Sequence, residues 1–220
     1  RYYLNGIFLH TVEVRGTTLL RAVATDGHRL AQAELPAPKG AAGMPGVIVP
    51  RKTVGEIEKL VDGADGTVSI ELSDAKLRLS IGPVVMTSKL IDGTFPDYAR
   101  VIPQGNDKDL NVDRDEFKTA VDRVSTVSSE RGRAVKLALT EGRLVLSVNN
   151  PDSGSATEEL AVEYEATPLE IGFNAKYLID IADQIGSGTM AFRLADPGSP
   201  TLVQDGSDTS ALYVLMPMRV

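Results

Sequence analysis

The residues best suited to chemistry lie in the short segment Asp26-Gly27-His28. A carboxylate and an imidazole two positions apart could hold a metal ion and support hydrolysis. The residue types Asp26-Gly27 instead favour a turn between two strands. His10 and His28 are the only histidines and there is no cysteine, so histidines alone cannot supply a three-ligand zinc site, and thiolate chemistry is excluded. A metal-dependent hydrolase using Asp26 and His28 is therefore the weaker hypothesis.

A second candidate is the apolar C-terminal segment from Val214 to Val220, which reads Val-Leu-Met-Pro-Met-Arg-Val. Chain termini are usually polar and frayed, so an apolar end must pack against something. Its two methionines make an adaptable apolar surface. Two interpretations stay open from this segment alone: a last core strand over 211–216, or the lining of a groove that binds a partner's peptide.

Composition limits the class of protein. The chain has 220 residues, 42% of them hydrophobic, which suffices for one large domain or two domains of about 100 residues. The formal net charge of −7 argues against a conventional nucleic-acid binder, which would carry a basic excess. No apolar stretch approaches the length of a membrane span. Because the chain opens at Arg1 without Met, we expect a C-terminal fragment of a longer protein.

The elements that position these residues occur in the same order in two halves. The first half predicts strands over 6–14, 18–24, 29–35 and 47–49, a helix over 51–61, and strands over 67–72, 76–81 and 84–90. The second half predicts strands over 134–139, 143–148, 158–164 and 169–173, a helix over 174–185, and strands over 189–194, 201–204 and 210–216.

The two halves are related by a fixed offset of 124 positions, which sets Val49 against Phe173 and Asp26 against Asn150. A unit this long predicts two copies of one domain rather than a solenoid. The second copy opens with an additional helix over 113–125. We therefore predict tandem α+β domains over 1–102 and 103–220.

Several motifs along the chain resemble those of the bacterial DNA polymerase III beta subunit, the family of replicative sliding clamps. They are Arg1-Tyr2-Tyr3-Leu4-Asn5-Gly6, Ala24-Thr25-Asp26-Gly27-His28-Arg29-Leu30, Val49-Pro50-Arg51-Lys52, Ser88-Lys89-Leu90-Ile91-Asp92-Gly93, Phe95-Pro96-Asp97-Tyr98, Asn149-Asn150-Pro151, Gly172-Phe173-Asn174 and Tyr213-Val214-Leu215-Met216-Pro217-Met218-Arg219. They span the whole chain in the order in which the family has them.

The resemblance implies most of the second and all of the third domain of a three-domain clamp. It implies a homodimeric ring of the full-length protein around duplex DNA, with helices on the DNA side and antiparallel sheets outside. The ring would confer processivity on the replicative polymerase in the bacterial cytoplasm, at the nucleoid, without enzymatic activity, cofactor, metal or membrane. Topology would hold DNA independently of its sequence, which reconciles an acidic chain with DNA. Implied DNA-facing residues are Tyr2, Tyr3, Arg51, Lys52, Lys118, Arg123 and Lys176, and a ring-closing face is implied near 126–133.

The resemblance also implies a pocket between the two domains for short linear motifs of clamp-loader subunits, replicative and other polymerases, and repair proteins. Its implied residues are Leu4, Thr25, Gly27, His28, Arg29, Leu30, Pro96, Arg100, Val101, Asn174, Tyr177, Val214, Leu215, Met216, Pro217, Met218 and Arg219. Apolar side chains would form the slot, and Arg and His would supply donors at its rim. A generic interaction module that never meets DNA stays as the alternative.

Overall fold

The computed structural model describes residues 1–129 and 133–220. Residues 130–132 of the expected ring-closing face lie outside the described residues. The chain divides into two compact units: the first comprises residues 1–26 and 32–98, and the second comprises residues 27–31 and 99–220. No helix within the described ranges is long and apolar enough to cross a membrane.

The first unit is built on a four-stranded and a three-stranded antiparallel sheet. Its elements are a 3-10 helix (Tyr2–Leu4), β1 (Gly6–Val14), β2 (Thr17–Thr25), β3 (Arg29–Pro36, whose first residues group with the second unit), β4 (Val47–Pro50), α1 (Arg51–Val61), β5 (Val68–Leu72), β6 (Lys76–Ile81) and β7 (Val84–Lys89). The strand orders are β3-β2-β1-β4 and β5-β6-β7. The β1–β2 hairpin turns at Arg15 and Gly16, whose φ angles of 49° and 79° match a tight two-residue turn.

The second unit repeats this plan with additional strands. Its elements are β8 (Lys108–Asp113), α2 (Arg114–Ser125), β9 (Ala134–Thr140), β10 (Arg143–Asn150), β11 (Gly154–Ala161), β12 (Glu163–Tyr164), β13 (Leu169–Asn174), α3 (Ala175–Ala182), β14 (Thr189–Leu194), β15 (Thr201–Asp205) and β16 (Ala211–Leu215). The strand orders are β11-β10-β9-β13 and β12-β8-β14-β15-β16. A second 3-10 helix, Tyr98–Val101, precedes β8.

The predicted equivalence of the Val49 and Phe173 segments is confirmed. In the first unit β4 pairs antiparallel with β1, setting Val49 opposite Ile7. In the second unit β13 pairs in the same way with β9, setting Phe173 opposite Val135. Each of these strands leads directly into a helix, α1 or α3. The chain therefore carries two copies of one α+β topology.

Three local predictions were wrong. The strand expected over 158–164 is divided between two strands, β11 and β12. The pairing of β11 with β10 ends at Ala161, and Tyr164 of β12 then pairs with Leu110 of β8. The helix expected over 174–185 ends at Ala182, and the backbone N–H of Gly186 bonds instead to the Asp205 carboxylate at 2.9 Å. Strand β8 was missed because its six residues mix Lys, Asp and Asn with Leu and Val, a pattern with weak strand propensity.

The core of the second unit forms around α2. Phe117, Ala120, Val121 and Val124 on one side of this helix are at most 2% exposed. Phe117 contacts Phe192 of β14 edge to face, with ring centroids 5.4 Å apart. Asp113 caps the helix by accepting a hydrogen bond from the Glu116 N–H at 2.9 Å. The apolar period and the cap together fix which face of α2 stays at the surface.

The first unit contains a chain of polar contacts centred on Tyr98. The Arg21 Nη1 donates to the Tyr98 hydroxyl at 3.1 Å, and the Arg21 Nε donates to Glu34 at 2.9 Å. The same hydroxyl lies 2.7 Å from His10 Nε2, and Phe8 stacks on the imidazole at 4.1 Å. Arg21 can only donate, so the Tyr98 oxygen accepts from Arg21, whereas the donor in the Tyr98–His10 hydrogen bond depends on the His10 tautomer.

We expect the free energy of unfolding of the first unit to fall as the pH drops below 6.5. Burial, and then the Arg21 charge, lower the pKa of His10 from its ordinary value of 6.5. Between the folded and unfolded pKa the unfolded chain binds more protons, so this stability is complete above pH 6.5 and is lost as the pH falls through the folded pKa. Urea unfolding across this range measures the effect, and His10→Gln must remove it. An identical pH dependence in the variant would refute the assignment.

Candidate functional site

The C-terminal tail is tied to the second unit at three places. Strand β16 pairs with β15, with Leu215 opposite Thr201. The Met216 N–H then donates to the His28 carbonyl at 3.0 Å, and the Met218 N–H donates to the Gly172 carbonyl at 2.7 Å. Leu215 is 1% exposed whereas Met216 is 42% exposed. The tail is thus a core strand up to Leu215 and a fixed, partly exposed surface segment beyond it.

Gly172 permits this arrangement. It lies in β13, with Lys136 of β9 opposite it on one side and a bridge to Met218 on the other. A Cβ atom at this position would lie 2.7 Å from the Met218 carbonyl oxygen and 3.0 Å from a Val220 methyl carbon. A side chain here would displace the tail. In the sequence Gly172 stands out only as part of the motif Gly172-Phe173-Asn174, although a glycine inside a strand can signal the close approach of another backbone.

The Arg29 side chain contacts one face of α3. The Arg29 Nη1 lies 2.6 Å from Asp180 Oδ2, and the Arg29 guanidinium carbon lies 4.0 Å above the centre of the Tyr177 ring. Asn174 caps this helix by accepting hydrogen bonds from the N–H groups of Lys176 at 2.9 Å and Tyr177 at 3.3 Å. The cap sets the first turn of α3, which places Tyr177 and Asp180 one turn apart on the same face. Asp180 was not among the predicted site residues.

The peptide-site residues implied by resemblance fall mainly in one unit. The second unit contains Gly27, His28, Arg29, Leu30, Arg100, Val101, Asn174, Tyr177, Val214, Leu215, Met216, Pro217, Met218 and Arg219, and the first contains Leu4, Thr25 and Pro96. Gly27 has a φ of 90°, as the turn interpretation of Asp26-Gly27 predicts. Leu30 is only 4% exposed whereas Val101 is 48% exposed. The second unit therefore offers both buried and accessible apolar groups among these residues.

The implied DNA-facing cations divide into two groups. Lys118 pairs with Asp183 at 2.5 Å, and Arg123 pairs with Glu158 at 2.8 Å. Arg51 and Lys52 open α1, Lys176 lies in the first turn of α3, and all three are exposed. Within the described part of the chain none of these three makes an ion pair. Tyr2 is 66% exposed and contacts Tyr3 edge to face at 5.7 Å.

Metal-binding groups do not cluster in the described residues. Across 1–129 and 133–220, no three His, Asp or Glu side chains converge in a way that could hold an ion. The His28 carbonyl accepts the Met216 N–H at 3.0 Å, so the segment containing Asp26 and His28 contributes to the fold of the tail. These contacts give the metal-dependent hydrolase hypothesis no support.

Comparison with known proteins gives the same family for both halves. The family model described as DNA polymerase III beta subunit, central domain, matches residues 1–97, and that of the C-terminal domain matches residues 99–219. The beta sliding clamp of Caulobacter vibrioides is 56% identical over 220 residues, and that of Escherichia coli K12 is 39% identical. Each alignment covers 100% of this chain and 59% of the relative.

Solved structures agree with these matches. A sliding clamp of Bartonella birtlesii bound to griselimycin superposes with a TM-score of 0.97 and 60% identity, covering 100% of this chain and 59% of that one. The Pseudomonas aeruginosa clamp bound to griselimycin superposes with a TM-score of 0.93 and 43% identity, covering 58% of that chain. With both halves matched in order, the chain belongs to the family of the DNA polymerase III beta subunit, the non-enzymatic sliding clamps, and contains its central and C-terminal domains in tandem.

Proposed function

We propose that this chain is part of a DNA sliding clamp that confers processivity on the replicative DNA polymerase by encircling duplex DNA. The observation that carries the proposal is family membership over the whole chain, with relatives named as beta sliding clamps. We place the limits of its two domains at 1–102 and 103–220. The chain spans about 59% of the length of these relatives, and the proposed ring is a homodimer of the full-length protein in the bacterial cytoplasm, at the nucleoid.

The charges support a topological mode of DNA binding. A chain with a net charge of −7 cannot rely on bulk neutralisation of phosphates. The carboxylates paired with Lys118 and Arg123 reduce the charge that these two cations offer to phosphate. Arg51, Lys52 and Lys176, with Tyr2 and Tyr3, then supply weak, sequence-independent contacts. Such contacts suit sliding, since strong phosphate binding would hinder movement along DNA.

Retention on circular DNA tests this function. We expect the full-length protein, once loaded on nicked circular DNA by its clamp loader, to stay bound during gel filtration at high salt. Cutting the circle should release it, because only the closed ring prevents dissociation. A generic interaction module would show no retention on either form. Equal retention on circular and linear DNA would refute the topological proposal.

We further propose that the second unit binds short linear motifs of clamp-loader subunits, polymerases and repair proteins. The C-terminal segment from Val214 to Val220 supports this proposal, because the exposed Met216 directly follows strand β16, which is anchored in the core. Similar clamps have been solved bound to griselimycin, which supports a ligand site in this family. A short peptide with Leu or Phe anchors should bind with a Kd of about 1 μM, or about −8 kcal/mol.

A further inference from the structure

Two cations of helix α2 each share their charge with a carboxylate from another part of the second unit. Lys118 Nζ lies 2.5 Å from an oxygen of Asp183, which directly follows α3. Arg123 Nη1 lies 2.8 Å from an oxygen of Glu158 in β11. The apolar side of α2 is packed in the core. Both ion pairs therefore lie on the part of α2 that this packing leaves at the surface.

Both cations stay accessible to a phosphate group. The side chains of Lys118 and Arg123 are 40% and 67% exposed, and those of their partners Asp183 and Glu158 are 45% and 25% exposed. Ion pairs at such exposure contribute little to stability, so a phosphate can compete for each cation. The phosphate then also approaches the carboxylate, whose negative charge repels it. Each carboxylate thus weakens the contact of its cation with DNA without blocking it.

We propose that Asp183 and Glu158 limit how tightly the second unit holds duplex DNA, and that their charges keep the clamp mobile along it. This inference rests on the proposed encirclement of DNA and assigns a function to two residues outside the DNA-facing set. A closed ring already prevents dissociation, so stronger phosphate contacts would add friction without improving retention. Compensating Lys118 and Arg123 locally keeps a weak attraction to DNA and limits the number of counterions that binding releases.

Salt titrations of duplex binding by the 220-residue chain test this inference. The affinity for a labelled duplex is measured by fluorescence anisotropy at several concentrations of KCl. In Asp183→Asn and in Glu158→Gln we expect the affinity at low salt to rise about threefold, as for the loss of an exposed ion pair. Because each variant frees one cation for phosphate, the plot of log affinity against log salt concentration should steepen by about 0.9. The two substitutions together should steepen it by about twice that amount.

Glu159→Gln is the matched control for Glu158→Gln. It removes the same charge at the next position of β11, but the Glu159 carboxylate pairs with Arg143 at 2.6 Å. Its affinity and salt slope should equal those of the unmodified chain. Adding Lys118→Met to Asp183→Asn gives a second control, because removing the freed cation must cancel the gain in slope.

The outcomes separate this inference from the proposed function. Unchanged slopes in Asp183→Asn and Glu158→Gln would overturn the inference, even where the full-length protein stays on circular DNA. An equal steepening in Glu159→Gln would also overturn it, because net charge would then be the cause. Failure of the full-length protein to stay on circular DNA would instead contradict the topological function on which the inference rests. A steeper slope confined to the two variants, and cancelled by Lys118→Met, supports the inference.

Discussion

Replacing Gly172 by valine is expected to detach the C-terminal tail and to abolish most peptide binding. The new Cβ atom would lie 2.7 Å from the Met218 carbonyl oxygen and 3.0 Å from a Val220 methyl carbon. Since the Met218 N–H also bonds to the Gly172 carbonyl at 2.7 Å, the tail cannot move away without losing this bond. Overpacking of this kind costs about 1–3 kcal/mol. We expect the free energy of unfolding to fall by that amount and peptide affinity to fall at least about tenfold.

Gly105→Val is the matched control for this experiment. Gly105 also belongs to the second unit, but a Cβ there would meet no atom within 4 Å. Urea unfolding and fluorescence polarisation of a labelled peptide measure the two effects. Peptide affinity that is preserved in Gly172→Val, with the tail displaced, would show that residues 216–220 are not part of the binding site.

Met216→Ala is expected to weaken peptide binding by about 1–2 kcal/mol, or roughly tenfold, while the fold survives. Met216 is 42% exposed, so truncating it removes apolar contact surface without opening a cavity in the core. Its structural contribution is the backbone N–H that donates to the His28 carbonyl, and alanine retains that group. Leu215, at 1% exposure, continues to anchor the tail.

Val85→Ala provides the comparison for this variant. Val85 is 62% exposed and lies in β7 of the first unit, so it tests whether loss of any exposed apolar side chain weakens binding. The measurement is a titration of one labelled peptide against both variants and the unmodified chain. An equal affinity of Met216→Ala and the unmodified chain would leave the tail with a purely structural role.

Local patterns were enough to predict most of the secondary structure. The limits of β1, β6, α1 and β14 agree with the predicted ranges to the residue. Turn residues explain this agreement: Gly16 and Gly63 have φ angles of 79° and 68°, so each interrupts the preceding element where glycine is favoured. Helix α3 was predicted to end at Ile185, three residues beyond its actual end at Ala182, because its apolar period continues to Ile185 whereas the Gly186 N–H bonds to the Asp205 carboxylate.

The resemblance of motifs identified the family, and the structure showed how individual site residues are held. Asn174 was predicted to open the helix over 174–185; it caps that helix in the structure, and it also belongs to the implied peptide site. The role of Gly172, which is to let the C-terminal tail approach β13, follows from its bridge to Met218 in the structure. A glycine in a strand does not identify the segment that approaches it.

The sequence by itself determined the repeat, through its constant offset of 124 positions. It also determined the turns and the amphipathic helices, because each of these depends on residues that are near neighbours along the chain. Tertiary structure decided which charges are compensated. Arg29 and Asp180 are 151 positions apart, yet their charged atoms are separated by 2.6 Å. The pairing depends on where the segment 27–31 lies beside α3 in the second unit, and no periodicity encodes that placement. The same holds for Lys118 with Asp183, since electrostatic compensation is a property of distance in space rather than of spacing along the chain.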